Sequence, residues 1–229
     1  MMRETEVITV EGGGGSNSLS DQVYEQLEAG ILDGRISAGE TLNEQKISSE
    51  LGVSRTPVRE AIRMLEQKNL VRLMPHKGAV VLGVDRKDML DIYAIRSYIE
   101  GLASKWAAEN ITYAKSKALQ EIVDLQEFYY LKSNQDKISE MDSRFHETIF
   151  RFCESRKLEH MLRDLHHMVQ RFRKLSIAET GRTEKAIAEH RLILEAICRG
   201  DGDEAERQTS IHINNARENM LTMLEIEIK

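Results

Sequence analysis

The chain has 229 residues, 41% hydrophobic and 31% charged, with a formal net charge of -6. That length suits two domains with a sizeable core, and no apolar run approaches the ~20 residues of a membrane span. The first residues do not read as a signal peptide. Cys153 and Cys198 therefore read as reduced core thiols of a cytoplasmic protein.

Residues 1–18 read as a flexible tail. Glu6 to Val10 could form a stray strand, and Gly12 to Ser16 form a spacer. The tail is acidic, with Arg3 against Glu4, Glu6 and Glu11, so it does not suit a basic DNA-gripping arm. A first helix follows from about Ser20 to Asp33, with Val23, Leu27 and Ile31 on its apolar face.

The stretch Leu42 to Val81 predicts helix, tight turn, helix and hairpin. Asn43 is a good N-cap, and Leu42 with Ile47 forms a hydrophobic staple. Gly52 suits the left-handed residue that ends a helix. Ser54 reads as the cap of the next helix, and Pro57 falls in its first turn, where a missing N–H is tolerated. Val58, Ile62 and Leu65 form the apolar face, which leaves Arg55, Thr56, Arg59 and Arg63 pointing outward. Two short helices around a glycine turn, with exposed cationic groups at the start of the second, match a DNA-reading motif. Leu70 to Leu73 and Ala79 to Leu82 read as strands around the turn Met74 to Gly78, which makes the motif winged.

The acidic whole-chain charge does not exclude DNA. From Arg55 to Lys77 the sequence has six basic residues against two acidic ones, and phosphate contacts need only such a local patch.

From about Asp85 the pattern is helical, with helices expected near 87–109, 113–133, 136–154, 156–178, 183–199 and 203–227. No sustained heptad appears, so a compact bundle is expected rather than a coiled coil. Asp142 and His146 are four residues apart and stack on one helix face. His190 and His212 are each eleven residues from Asp201, the centre of the last turn. In an antiparallel helix pair such residues lie side by side, about 16 Å from the bend at 1.5 Å per residue. Singly, each histidine reads as a surface or capping residue. Together, one carboxylate and three imidazoles form a site for a divalent Zn, Ni, Mn or Fe. His160, His166 and His167 are set aside, because adjacent helical residues point in different directions.

The run Gly52-Val-Ser-Arg-Thr-Pro-Val-Arg-Glu-Ala, followed by Asn69-Leu70-Val71, Pro75 and Gly78, resembles the GntR family of bacterial transcription regulators over residues ~20–82. The resemblance implies that Arg55, Thr56 and Arg59 touch bases and phosphates in the major groove. It also implies that His76, Lys77 and Gly78 enter the minor groove. Gln45 stands where some members place a DNA-contacting arginine, which implies a changed or missing contact. The bundle is similar to the FCD ligand-binding domain of FadR-type members over ~87–225. The similarity rests on Asp142-Ser-Arg-Phe-His146, Glu189-His190, Gly200-Asp201, Ala205 and His212. It implies a divalent metal that presents open positions to a small carboxylate effector, with Arg96 gripping that carboxylate and Arg171 a second candidate for the role. An ion pair of Arg96 with Glu100, or a surface charge, is the other reading of Arg96. Ser155 replaces a usual Asn, a departure expected to affect helix geometry.

The expected protein is mainly α, with a winged helix-turn-helix at 19–84 and an all-helical effector-binding and dimerisation domain at 85–229. It is expected to be a homodimeric regulator, most often a repressor, on a near-palindromic double-stranded operator. It is expected to respond to metal plus a small organic acid, to be no enzyme and to have no membrane partner. Three alternatives stay open: a metal-free regulator responding to a fatty acyl ligand, a metalloenzyme fused to a DNA-binding head, and a structural bundle with incidental histidines.

Overall fold

A computed structural model describes residues 18–74, 78–169 and 181–227, with side chains to residue 222. The chain divides into two compact units, Met1–Val84 and Asp85–Lys229. Residues 1–17 of the expected tail, the wing-tip residues His76 and Lys77, and Arg171 lie outside the described residues. Among the described residues no helix is long and apolar enough to cross a membrane.

In the first unit, α1 (Leu19–Leu32) starts at a capping box: Ser18 accepts from the Asp21 amide, and Asp21 accepts from the Ser18 amide. α2 (Glu44–Leu51) starts at Asn43, whose side chain accepts from the amides of Gln45 and Lys46. It ends at Gly52, which is left-handed with φ 65°. α3 (Arg55–Gln67) follows after Val53 and Ser54. Ser54 occupies the N-cap position but makes no side-chain cap bond. The sequence explains why. Pro57 is the third residue of α3, so one of the two amides that a capping hydroxyl reaches does not exist there.

Three short strands complete this unit: β1 (Thr41–Leu42), β2 (Val71–Met74) and β3 (Gly78–Val81), in the order β1-β3-β2. The hairpin pairs Val71 with Val81 and Met74 with Gly78. β1 pairs Thr41 with Val80 and Leu42 with Ala79. The hairpin was expected; β1 was not, because two residues carry no readable alternation. Val23, Leu27, Ile47, Val58, Ile62, Leu65, Leu70 and Val81 pack as one core, each burying side chain worth about 1.5–3 kcal/mol of transfer free energy.

The second unit is a helical bundle: α4 (Arg86–Glu109), α5 (Tyr113–Leu131), α6 (Gln135–Phe152), α7 (Arg156–Met168), α8 (Arg182–Cys198) and α9 (Gly202–Glu227). Its caps are local: Asp85 and Asp88 form a capping box on α4, and Thr112, Asn134 and Ser155 cap α5, α6 and α7. Ser155 accepts from the Leu158 amide, the job an Asn would do there, so the departure leaves the start of α7 regular. The core runs through Ala107, Leu119, Val123, Phe145, Ile149, Phe150, Leu162, Ile193 and Ile197. Cys153 is buried in it, whereas Cys198 is exposed, which corrects the expectation of two core thiols. Cys198 is the last residue of α8, and its Sγ lies 3.0 Å from Ser116 Oγ rather than in the core.

Candidate functional site

The reading head carries its cationic groups at the start of α3. Arg55, Thr56, Arg59 and Arg63 are exposed, while Pro57, Val58, Ala61, Ile62 and Leu65 are buried. This split follows from the 3.6-residue period. Gln45, the second residue of α2, is exposed, and its carbonyl accepts from the hydroxyls of Ser48 and Ser49. Arg59 is not free-standing. It bonds bidentately to Glu44, through Nε at 3.2 Å and Nη2 at 2.8 Å. Those bonds hold the Glu44 carboxyl below its usual range, and Arg55 and Arg63 add to the effect. Gly78 opens β3 at φ 85°, and a Cβ there would fall 2.3 Å from the Leu42 carbonyl oxygen. Only glycine fits that approach.

In the bundle, the structure brings His146, His190 and His212 together. One ring nitrogen of each lies within 4.8 Å of the others, and all three residues are buried. The His190 and His212 ring centroids are 4.7 Å apart, so the symmetric pair converges across the Asp201 turn. Asp142 lies at the edge of the cluster, with Oδ1 3.7 Å from His190 Nε2.

Each imidazole is oriented by an oxygen behind it. His146 Nδ1 is 3.0 Å from Glu100 Oε2 on α4. His190 Nδ1 is 2.8 Å from Gln126 Oε1 on α5, and His212 Nδ1 is 2.6 Å from Glu189 Oε2 on α8. Carboxylate and amide oxygens accept, so each Nδ1 donates. Burial works against the charge on Glu189, but bonds from His212 and Asn215 and the nearby Arg182 outweigh it and hold the carboxyl at about 2. A ring whose one hydrogen sits on Nδ1 carries a lone pair on Nε2.

That tautomer tests the fit to a metal. His146 Nε2 and His212 Nε2 face each other at 3.3 Å. At that distance the two lone pairs repel unless a proton or a metal ion lies between them. Two nitrogens bound at ~2.0–2.1 Å to one tetrahedral ion stand about 3.3 Å apart. The three imidazoles, their orientation by outer oxygens and the His146–His212 spacing fit a divalent ion, with Asp142 beside that group of nitrogens.

Arg96 is only 2% exposed and lies over the Tyr93 ring at 5.0 Å. Its Nε donates to Glu100 Oε1 at 2.5 Å. Burial disfavours the guanidinium charge, but Glu100 more than compensates and keeps the pKa above its usual value. The surface-charge reading is therefore excluded and the ion-pair reading is present. Nη1 of Arg96 is buried with no hydrogen-bond partner among the described residues. Glu100 thus shares its two oxygens between Arg96 and His146.

Three residues escaped the sequence reading. Glu100 and Gln126 stand 46 and 64 positions from the histidines they orient. His166, set aside on helical direction, is buried with its ring 5.7 Å from that of His146. Spacing offers no signal for such distant contacts; only Glu189, adjacent in sequence to His190, stood within reach of a local argument. His160 and His167 are exposed.

Comparison with known proteins fits this geometry. A model of bacterial regulatory proteins of the gntR family matches residues 19–81, and a model of the FCD domain matches 91–215. The chain is 28% identical over 205 residues to the HTH-type transcriptional regulator YdhC of Bacillus subtilis (strain 168), covering 89% of this chain and 92% of that protein. It is 30% identical over 156 residues to the gluconate operon transcriptional repressor of the same organism, covering 68% of this chain and 64% of that protein. Its fold matches that of McbR/YncC of E. coli with a TM-score of 0.73 at 22% identity, over 91% of this chain and 99% of that chain.

Proposed function

The chain belongs to the bacterial GntR regulators that carry an FCD domain, and on that premise we propose that it is a homodimeric repressor governed by a metal and a small organic acid. It is a DNA-binding transcription regulator, and its relatives and fold are those of regulators rather than enzymes. Two winged heads grip a near-palindromic operator. Arg55, Thr56, Arg59 and Arg63 face the major groove, Gln45 belongs to the same DNA-facing set, and His76, Lys77 and Gly78 serve the wing.

The bundle holds the sensor. Asp142, His146, His190 and His212 would hold a divalent metal, and the metal would supply a Lewis-acidic centre for one carboxylate oxygen. The observation that carries this reading is the set of three imidazoles turned Nε2-inward by Glu100, Gln126 and Glu189. Arg96, whose buried Nη1 has no hydrogen-bond partner among the described residues, suits the remaining oxygen of the same acid. Arg171 serves as a second cation. The relative named for a gluconate operon favours a sugar acid as the effector. The acid regulates only if it binds one state of the protein more tightly than the other.

The test is operator binding by untagged protein, with and without Zn or Mn and with gluconate as the first acid. The proposal expects an acid-dependent change in DNA affinity that disappears when the metal is chelated. Acid response that survives complete metal removal would move the sensor to a metal-free ligand, such as a fatty acyl group.

A further inference from the structure

Glu44 occupies the first position of α2, on a backbone fixed by the Asn43 cap. Arg59 lies one turn into α3, on the exposed face shared by Arg55 and Arg63. The two side chains meet across the helix-turn-helix, with Nε 3.2 and 3.3 Å from the two Glu44 oxygens and Nη2 2.8 Å from Oε2.

Which edge of the guanidinium is used matters. A guanidinium has five N–H donors in a rigid plane. Glu44 takes the side edge, made by Nε and one hydrogen of Nη2. The end edge, with one hydrogen on each Nη, stays available. Two parallel donors of that kind match O6 and N7 of a guanine in the major groove. A long side chain on an exposed helix face otherwise samples many rotamers, which costs entropy when it is fixed on a base. An anchored fork loses less.

We infer that Glu44 is a positioning residue for DNA recognition, which anchors the side edge of Arg59 so that its end edge reads a guanine. This rests on the proposed major-groove role of Arg59. Glu44 itself touches no base; its carboxylate acts through the arginine. It also places a negative charge near the phosphates, so its two effects oppose each other. It strengthens discrimination and weakens indiscriminate attraction.

The opposition supplies the test. Wild-type protein selects duplexes from a random-sequence library. The affinities of wild type, Glu44→Ala, Glu44→Gln, Arg59→Ala and the Glu44→Ala, Arg59→Ala double variant are then measured on the selected duplex and on a random duplex. Thermal melting confirms that each variant is folded. Glu44→Ala is expected to lower the ratio of selected to random affinity by roughly tenfold or more, the scale of a bidentate base contact. Its affinity for the random duplex should hold or rise. Glu44→Gln, which keeps one acceptor oxygen, should fall between. The double variant should be no less selective than Arg59→Ala alone.

Replacing the selected guanine with 7-deazaguanine should weaken wild type and leave Arg59→Ala unaffected. An unchanged selectivity ratio in Glu44→Ala, additive losses in the double variant, or tighter operator binding without Glu44 would each overturn the inference. If Glu44→Ala does not melt as wild type does, Glu44→Gln decides by the same ratio. Failure of the underlying reading looks different: the wild type would then enrich no sequence at all, or Arg59→Ala would keep full selectivity.

Discussion

His146 and Asp142 share a helix face because they are four residues apart, and His190 and His212 meet because each is equally far from one turn. Those relations are periodic, so they were legible in the sequence. What orients the rings was not. Glu100 comes from α4 and Gln126 from α5, and their contacts depend on how each helix rotates against α6 and α8. Gln126 offers the cleaner probe, since Glu100 also neutralises buried Arg96. Gln126→Ala removes the acceptor behind His190 Nδ1. Metal affinity, read by chelator competition, should fall by roughly 10–100-fold while the protein stays folded. Unchanged affinity would mean that the Gln126 bond does not set the His190 orientation. Arg96→Met removes the guanidinium but no candidate ligand, so it should abolish the response to acid, with metal content measured beside it because Glu100 also stands behind His146. A retained response, measured as the shift in operator affinity, would remove Arg96 from the sensor.

Caps and glycines decided how well each element could be foreseen. α2 announced itself through Asn43 and Gly52, and both act as expected. Asn43→Ala should cost about 1 kcal/mol of reading-head stability in a denaturant melt. The start of α3 behaved differently: Ser54 makes no cap bond, and Pro57 removes one of the two amides it could have reached. Ser54→Ala should therefore cost much less than Asn43→Ala in the same melt. β1 was invisible, since a two-residue strand is defined only by its partner. Gly78 shows how tight that pairing is. Gly78→Ala would press a methyl against the Leu42 carbonyl at a positive φ. It should cost more than a typical ~1 kcal/mol substitution and abolish operator binding, with bundle helicity by circular dichroism preserved. The Glu44–Arg59 clamp has its own pH signature. The folded carboxyl titrates below its ordinary value, so the clamp contributes fully above the unfolded pKa and is lost as pH falls through the folded one. Arg59-dependent selectivity should thus be flat across the neutral range and decline only in acid below the usual carboxylate range.

At the scale of the chain, a reading head and a helical bundle form separate compact units that meet in sequence between Val84 and Asp85. α4 starts beside that junction and carries both Arg96 and Glu100, so the helix nearest the head in sequence also holds one of the oxygens behind the histidine cluster. If acid weakens the grip on DNA, operator DNA weakens acid binding by the same factor. The family was legible because its signatures are local runs within single helices and turns. The operator sequence and the acid were not, because they depend on rotamers and on the shape of a cavity. The central claim is that the histidine cluster holds a metal, and elemental analysis of untagged protein tests it most directly, beside an Asp142→Ala, His212→Ala double variant. One divalent metal per chain, lost in the double variant, is the predicted result. No metal in the wild type, even after incubation with Zn, Ni or Mn, would contradict it.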